Sequence, residues 1–258
     1  MRKMRSVVVA IVASLVYCMS LSAAMAIDEA VKASNAVKAK DETVKSSKAT
    51  KVKNDAVKIS KASNVVKEIA AIPKMKIPPD LLNGASAIVL VPGAVKNDFM
   101  AAGGSAGGVL LVHDKEGTWS SPVFITLSGG TLGWQIVSDP MDIVLVIKNR
   151  KYVDAILKGK LPLDIKVAIE KGRLGLNMKA ATAKEQKAEI ASYVRSRGAF
   201  HDEAVVAGAI VQIDAAANDA FYGKPKVDAG DIVSGKVPKS TEDVKALQKL
   251  LTEYVALK

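Results

Sequence analysis

Gly103-Gly104-Ser105-Ala106-Gly107 has the Gly-x-Ser-x-Gly spacing of a nucleophile elbow. In that device a strained strand-to-helix turn lifts a serine hydroxyl toward a histidine base. Here Val109-Leu110-Leu111-Val112 follows and reads as a strand, and the downstream histidines, His113 and His201, lack the long alternating α/β pattern that holds such a triad. His113-Asp114 and His201-Asp202-Glu203 are two thin constellations, whereas a metal site needs three or four convergent ligands. No metal, no cofactor and no enzymatic activity are expected. The single cysteine, Cys18, lies in an N-terminal leader, which removes disulfides, thiolate catalysis and cysteine-based zinc sites from consideration.

The chemistry that remains is cationic. Against 26 acidic residues the chain carries 37 lysines and arginines, and a long run without aromatics, from Asp28 to Lys76, is built from Ala, Val, Ser and Lys. Lys51, Lys53, Lys58, Lys61, Lys67, Lys74 and Lys76 are candidate contacts to an anionic bilayer, where each lysine near the surface contributes about 1 kcal/mol. A solvated linker is the plain alternative for this segment. Arg195 and Arg197 flank Ser196 and are the second candidate site: they hold an anionic headgroup by charge-assisted bonds or pair with Asp202 or Glu203. Nucleic acid is not an expected partner, because no aromatics interleave the charge and no recognition motif is present. The two tryptophans, Trp119 and Trp134, either cap the core or insert at a membrane interface.

These side chains need a scaffold. Val109–Val112, Val123–Leu127 and Ile143–Ile147 are short β-branched runs bounded by Gly, Asp, Ser or Pro, which predicts strands. Asp114-Lys115-Glu116-Gly117 predicts a hairpin between the first two, hence an antiparallel sheet. The glycine doublets at 103–104, 107–108 and 129–130 predict bulges or close backbone crossings. Val52, Ala56, Ile59, Ala62, Ser63, Val66 and Ala70 fall on one helical stripe, which predicts a basic amphipathic helix, marginal until it meets a partner surface. Further along, residues 149–157 read as a helix, 159–162 as a turn, 163–169 as a strand, 183–194 as a helix and 205–213 as a strand. Ser240-Thr241-Glu242-Asp243 is a capping signal for a last helix that presents Val244, Leu247, Leu251, Tyr254 and Val255 on one face.

The wording of several stretches is recognisable. GGSAGGVLLVHDKEGTWSSP (103–122), GGTLGWQI (129–136), the strand from Asp142 to Asn149, ASAIVLVP (85–92), YVRSRGAF (193–200) and NDAFYG (218–223) stand in an order that resembles the SYLF family of lipid-binding domains. The sequence departs from the family pattern at Val137, at Glu170–Gly175 and at His201-Asp202. The resemblance implies a domain that binds membrane lipids, with phosphoinositide headgroups the usual ligand of eukaryotic members and actin a partner of some.

The N-terminus adds a compartment. Met1–Arg5 is basic, Ser6–Ala23 apolar and Ala24-Met25-Ala26 small, which predicts a secretory signal peptide cut after Ala26, with a retained anchor as the alternative. Cleavage removes three of the 37 basic residues and none of the acidic ones, so the mature chain stays basic.

The expected organisation is therefore a signal peptide (1–26), a Lys-rich helical or disordered arm (27–76), a SYLF-like domain (77–223) and a linker with a C-terminal amphipathic helix (224–258). The expected fold class is α+β, an antiparallel, sandwich- or barrel-like sheet core with flanking helices. The expected function is non-catalytic binding of anionic phospholipid in the periplasm or cell envelope. The alternative is an envelope structural or interaction module that engages another protein or a second copy. Actin is not an expected partner of an exported chain.

Overall fold

Both faces of the central strands are buried over most of their length, which is why their sequences read as continuous apolar runs rather than as alternations. The computed structural model describes residues 54–71, 77–95, 104–114, 116–129, 131–132, 140–163, 169–171, 189–196, 199–200 and 206–256, all within one compact unit, Lys51–Lys258. The expected signal peptide, Lys51, Lys53, Lys74, Lys76, Trp134, Arg197 and His201-Asp202-Glu203 lie outside the described residues.

In chain order the elements are α1 (54–71), α2 (Pro79–Asn83), β1 (Ala87–Ala94), β2 (Ser105–Val112), β3 (Val123–Ser128), β4 (Thr131–Leu132) and β5 (Met141–Ile147). Then come α3 (Arg150–Leu157), β6 (Lys160–Pro162), β7 (Ile169–Lys171), β8 (Ile190–Ser196), β9 (Ala199–Phe200), β10 (Val206–Ala207) and β11 (Ile210–Ile213). Three helices close the chain: α4 (Ala215–Tyr222), α5 (Ala229–Val233) and α6 (Glu242–Ala256). The main sheet runs β6-β11-β3-β2-β1-β5-β8-β7, with β9 on β8, and β4 and β10 form a separate pair. All its pairings are antiparallel except β7–β8. The sheet curls into a half-barrel, so of the two expected forms the barrel-like one is realised, and the class is α+β.

The hairpin at Asp114–Gly117 joins β2 to β3: Gly117 takes φ +83°, and the Asp114 carboxylate accepts from Glu116 N, Thr118 N and the Thr118 hydroxyl. Gly108 is the close crossing that the doublets predict. A Cβ there would stand 2.5 Å from the Leu90 carbonyl oxygen and 2.8 Å from Val91 Cγ2.

Three expectations are corrected. Residues 183–194 read as a helix, yet Ile190–Ser196 is a strand in seven-residue register with β5. The turn expected at 159–162 contains a strand, Lys160–Pro162; of the strand expected at 163–169, residues 164–168 lie outside the described residues and Ile169 opens the short strand Ile169–Lys171. The strand expected at 205–213 is broken at Gly208, whose φ of +72° sends Val206–Ala207 to β4 and Ile210–Ile213 to β3.

Helix α1 packs against the sheet of its own chain. Ile59 and Ala62 are fully buried, with Val65, Val66 and Ile69 beside them in the same core as Ile88, Leu90 and Val144. From the opposite end of the sequence α6 joins that face through Leu251 and Tyr254, whose hydroxyl donates to the Ile77 carbonyl at 2.8 Å. Thr241 Oγ1 caps α6 by accepting from Val244 N, at the position where the capping signal predicts a start.

Candidate functional site

Ser105 and His113 sit at the two ends of one extended stretch, eight residues apart, so about 26 Å separates them at strand rise. No proton passes between them. Ser105 opens β2 and pairs with Ser128 instead of standing on a strand-to-helix turn. His113 Nδ1 lies 3.2 Å from the Ala85 carbonyl, and its ring stacks on Trp119 at 4.3 Å. Trp119 is buried, so its indole packs in the core and is not offered to a membrane. Among the described residues no group of three metal-ligating side chains converges.

The lysines of α1 divide by helical geometry. With the 59-62-66-69 stripe against the sheet, Lys61 and Lys67 point outward and are exposed, and the same outer side carries Val57, the exposed large hydrophobic among the described residues. Lys58 turns inward at the edge of the stripe. Its amine bonds the buried carboxylate of Asp55 at 3.1 Å, hangs 5.8 Å from the centre of the Phe124 ring, and passes over the bare backbone of Gly107, where a Cβ would meet Lys58 Cε at 3.1 Å. Of the candidate lysines that the structure describes, two face solvent and one is bound to the body.

Arg195 is held more firmly. Its position on β8 places it opposite Asp142 of β5, and its Nε donates to Asp142 Oδ2 at 3.1 Å while Nη2 donates to the same oxygen. The other carboxylate oxygen of Asp142 accepts from Gly93 N at 2.9 Å, which fixes the pair to β1. The remaining nitrogen, Nη1, donates to Glu68 on α1. The guanidinium side chain is 12% exposed and Asp142 19%, whereas Glu68 is 55% exposed. Bonding to Asp142 and Glu68 raises the Arg195 pKa against the opposing effect of its burial, so the group stays charged. Among the described residues the carboxylates that meet Arg195 are Asp142 and Glu68, from β5 and α1; Asp202 and Glu203 lie outside them. Sequence reading missed Glu68, because an exposed glutamate on a helix carries no signal for a partner 127 residues away.

A second charged cluster is structural. Glu189 accepts from the Lys151 amine at 2.7 Å, from Asn149 Nδ2 at 3.2 Å and from the Tyr152 hydroxyl, tying the entry of β8 to the start of α3. The Lys151 bond first, then that from Tyr152, holds the Glu189 carboxyl down at about 2, and burial pushes the Tyr152 hydroxyl up. Lys239 is likewise committed to the body: its amine donates to the Phe221 carbonyl at the end of α4, lies 4.2 Å from that ring's centre, and has its pKa lowered by burial.

Comparison with known proteins places relatives beside this geometry. A family model described as Ysc84, "Las17-binding protein actin regulator", matches residues 128–254. The chain is 26% identical over 183 residues to SH3 domain-containing YSC84-like protein 1 of Xenopus laevis, covering 70% of this chain and 54% of that protein. It is 29% identical over 164 residues to LAS seventeen-binding protein 3 of Saccharomyces cerevisiae, covering 62% and 35%, and 28% identical to the yeast Protein YSC84. The chain therefore spans between about a third and a half of the length of these curated relatives. The first is named as an SH3 domain-containing protein and the second as a LAS seventeen-binding protein, and none of the three is named as an enzyme.

Proposed function

The chain belongs to the Ysc84, or SYLF, family, and from that premise we propose that it is a non-catalytic module that docks on anionic phospholipid surfaces. The observation that carries this reading is the separation of charge along the sequence. Between 27 and 76 twelve lysines stand against six carboxylates, whereas from 77 to 258 twenty-two basic residues face twenty acidic ones. Six of the eight excess positive charges of the mature chain lie in one segment of fifty residues.

The folded part constrains the mechanism. The apolar stripe of α1 is occupied by the sheet, so α1 does not need to fold on the bilayer. Its contribution is the outer side bearing Lys61 and Lys67, and the lysines of 27–53 precede it directly. At about 1 kcal/mol per lysine near the surface, four engaged at once give roughly millimolar affinity, which suits a peripheral protein held by several weak contacts. The N-terminal signal points to the periplasm or cell envelope as the compartment and to its anionic phospholipids as the surface.

Liposome flotation tests the proposal. Recovery is expected with anionic vesicles and not with neutral ones, to fall with added salt as exposed charges are screened, and to fall on removal of residues 27–53 or in K61Q/K67Q. Equal recovery with neutral vesicles, insensitive to salt, rejects it. The names of the yeast relatives favour a second reading, in which the domain engages a protein of the actin machinery or an envelope counterpart. Co-sedimentation with filamentous actin, unaffected by the K61Q/K67Q change, selects that reading.

A further inference from the structure

Arg195 is built as an anion receptor with one side already filled. Asp142 takes Nε and Nη2, and the Gly93 N–H fixes Asp142, so the guanidinium plane is set before any ligand arrives. Nη1 is left to Glu68, a half-exposed carboxylate on a helix that also presents the outward lysines of the proposed docking surface. Only the Glu68 end of this pair is open to solvent, at 55% against 12% for Arg195, so it is Glu68 that can leave into water while Arg195 stays in place for an external anion. Nη1 of a permanently charged guanidinium, already oriented by Asp142, offers a phosphate oxygen a charge-assisted hydrogen bond.

We propose that Glu68 is an internal stand-in for a phosphate at Arg195. When α1 approaches an anionic bilayer, like charge repels Glu68, and a phospholipid phosphate takes its place on Nη1. The exchange releases the electrostatic tie between α1 and β8 while the apolar stripe stays packed. This inference rests on the lipid reading above and adds a specific receptor, and its gate, to a surface otherwise described by net charge.

A double-mutant cycle on vesicle binding tests it, with the full chain and anionic phosphatidylglycerol vesicles. E68Q is expected to tighten binding about fivefold, the fold-change that corresponds to roughly 1 kcal/mol. Part of any gain is the loss of one negative charge, and that part persists without Arg195. The gain from E68Q is therefore expected to be at least threefold larger with Arg195 present than in R195Q, and equal gains in the two backgrounds overturn the proposal. Because R195Q leaves Asp142 without its partner, a measurement on the unaltered protein accompanies it. The guanidinium resonances of Arg195 are followed by NMR during titration with a short-chain anionic phospholipid and, separately, with inorganic phosphate. A shift with the phospholipid alone supports a headgroup as the ligand; a shift with both supports the phosphate chemistry without the lipid. No shift with either overturns the proposal. If neither wild type nor E68Q binds anionic vesicles, the lipid reading itself fails; if wild type binds and the cycle shows no coupling, only the exchange at Arg195 fails.

Discussion

Asn218 treats Phe124 as a strand would. Its Oδ1 accepts from the Phe124 N–H at 2.9 Å and its Nδ2 donates to the Phe124 carbonyl at 3.0 Å, while the residue is 0% exposed. A side chain of α4 thus completes the hydrogen bonding of β3 where the sheet supplies no neighbour, and the same Nδ2 also reaches the Asp214 carbonyl at 2.9 Å. N218A leaves the Phe124 N–H buried without that bond, a loss of about 2–3 kcal/mol. For a domain of this size the melting temperature is expected to fall by about 5–10 °C. N218D keeps the acceptor but buries a charge and loses the donors, so it is expected to be no better. A variant that melts with wild type would show that the pairing carries no weight.

Two adjacent glycines separate backbone from side-chain crowding. At Gly108 a Cβ meets the Leu90 carbonyl at 2.5 Å, and β1 cannot yield without breaking its register with β2 and β5. At Gly107 the nearest atom is Lys58 Cε at 3.1 Å, the far part of a flexible chain. G108A is expected to cost about 2 kcal/mol or more and G107A under about 1 kcal/mol, read from urea midpoints at constant slope. Equal costs would show that the β1–β2 approach is looser than 2.5 Å implies.

The Glu189 cluster sets an acid limit on stability. Its folded carboxyl is held at about 2, below the ordinary 4.5, chiefly by Lys151. A depressed carboxylate contributes fully above its unfolded value and loses that contribution as pH falls through the folded one. The stability advantage of wild type over E189Q is therefore expected to be constant near neutral pH, to shrink below about pH 4.5 and to vanish near pH 2. Denaturation midpoints of the two proteins along a pH series check it. A gap that stays constant to pH 2 would place the effect in packing.

What was legible in the sequence, and what was not, follows from the range of each interaction. The β-branched runs, the Asp114–Gly117 turn, the close approach at Gly108 and the α6 stripe are local patterns, and they stand where the patterns put them. Residues 190–194 carry helix-compatible types next to a run of helix formers, yet β8 forms because Ile190 through Val194 are buried beside β5. Tertiary pairing outweighs propensities worth a few tenths of a kcal/mol per residue. The α1 stripe announced that a face is buried but not what covers it. The partners of Arg195 were hidden for the same reason: Asp142 and Glu68 meet it only through sheet register and helix docking.

That covering sheet face yields a prediction about where the folded domain begins. The proline-bearing stretch near 73–79 looks like the boundary in sequence, but Ile59 and Ala62 are 0% exposed and belong to the same core as Leu90. Removal of residues 27–53 is expected to leave the melting transition within about 2 °C of wild type, because no residue of the described core is lost. Removal of 27–71 strips α1 from the sheet and uncovers Ile88, Leu90 and Val144, with a broadened transition and dye-binding apolar surface as the result. I59A is the milder form of the same test, and a large-to-small change at a fully buried site is expected to cost about 2–5 kcal/mol. If the 27–71 deletion melts as sharply and as high as wild type, α1 is an attachment to the domain and not part of it. The lysines of α1 would then move independently of the sheet, and the fixed relation between Glu68 and Arg195 would dissolve with them.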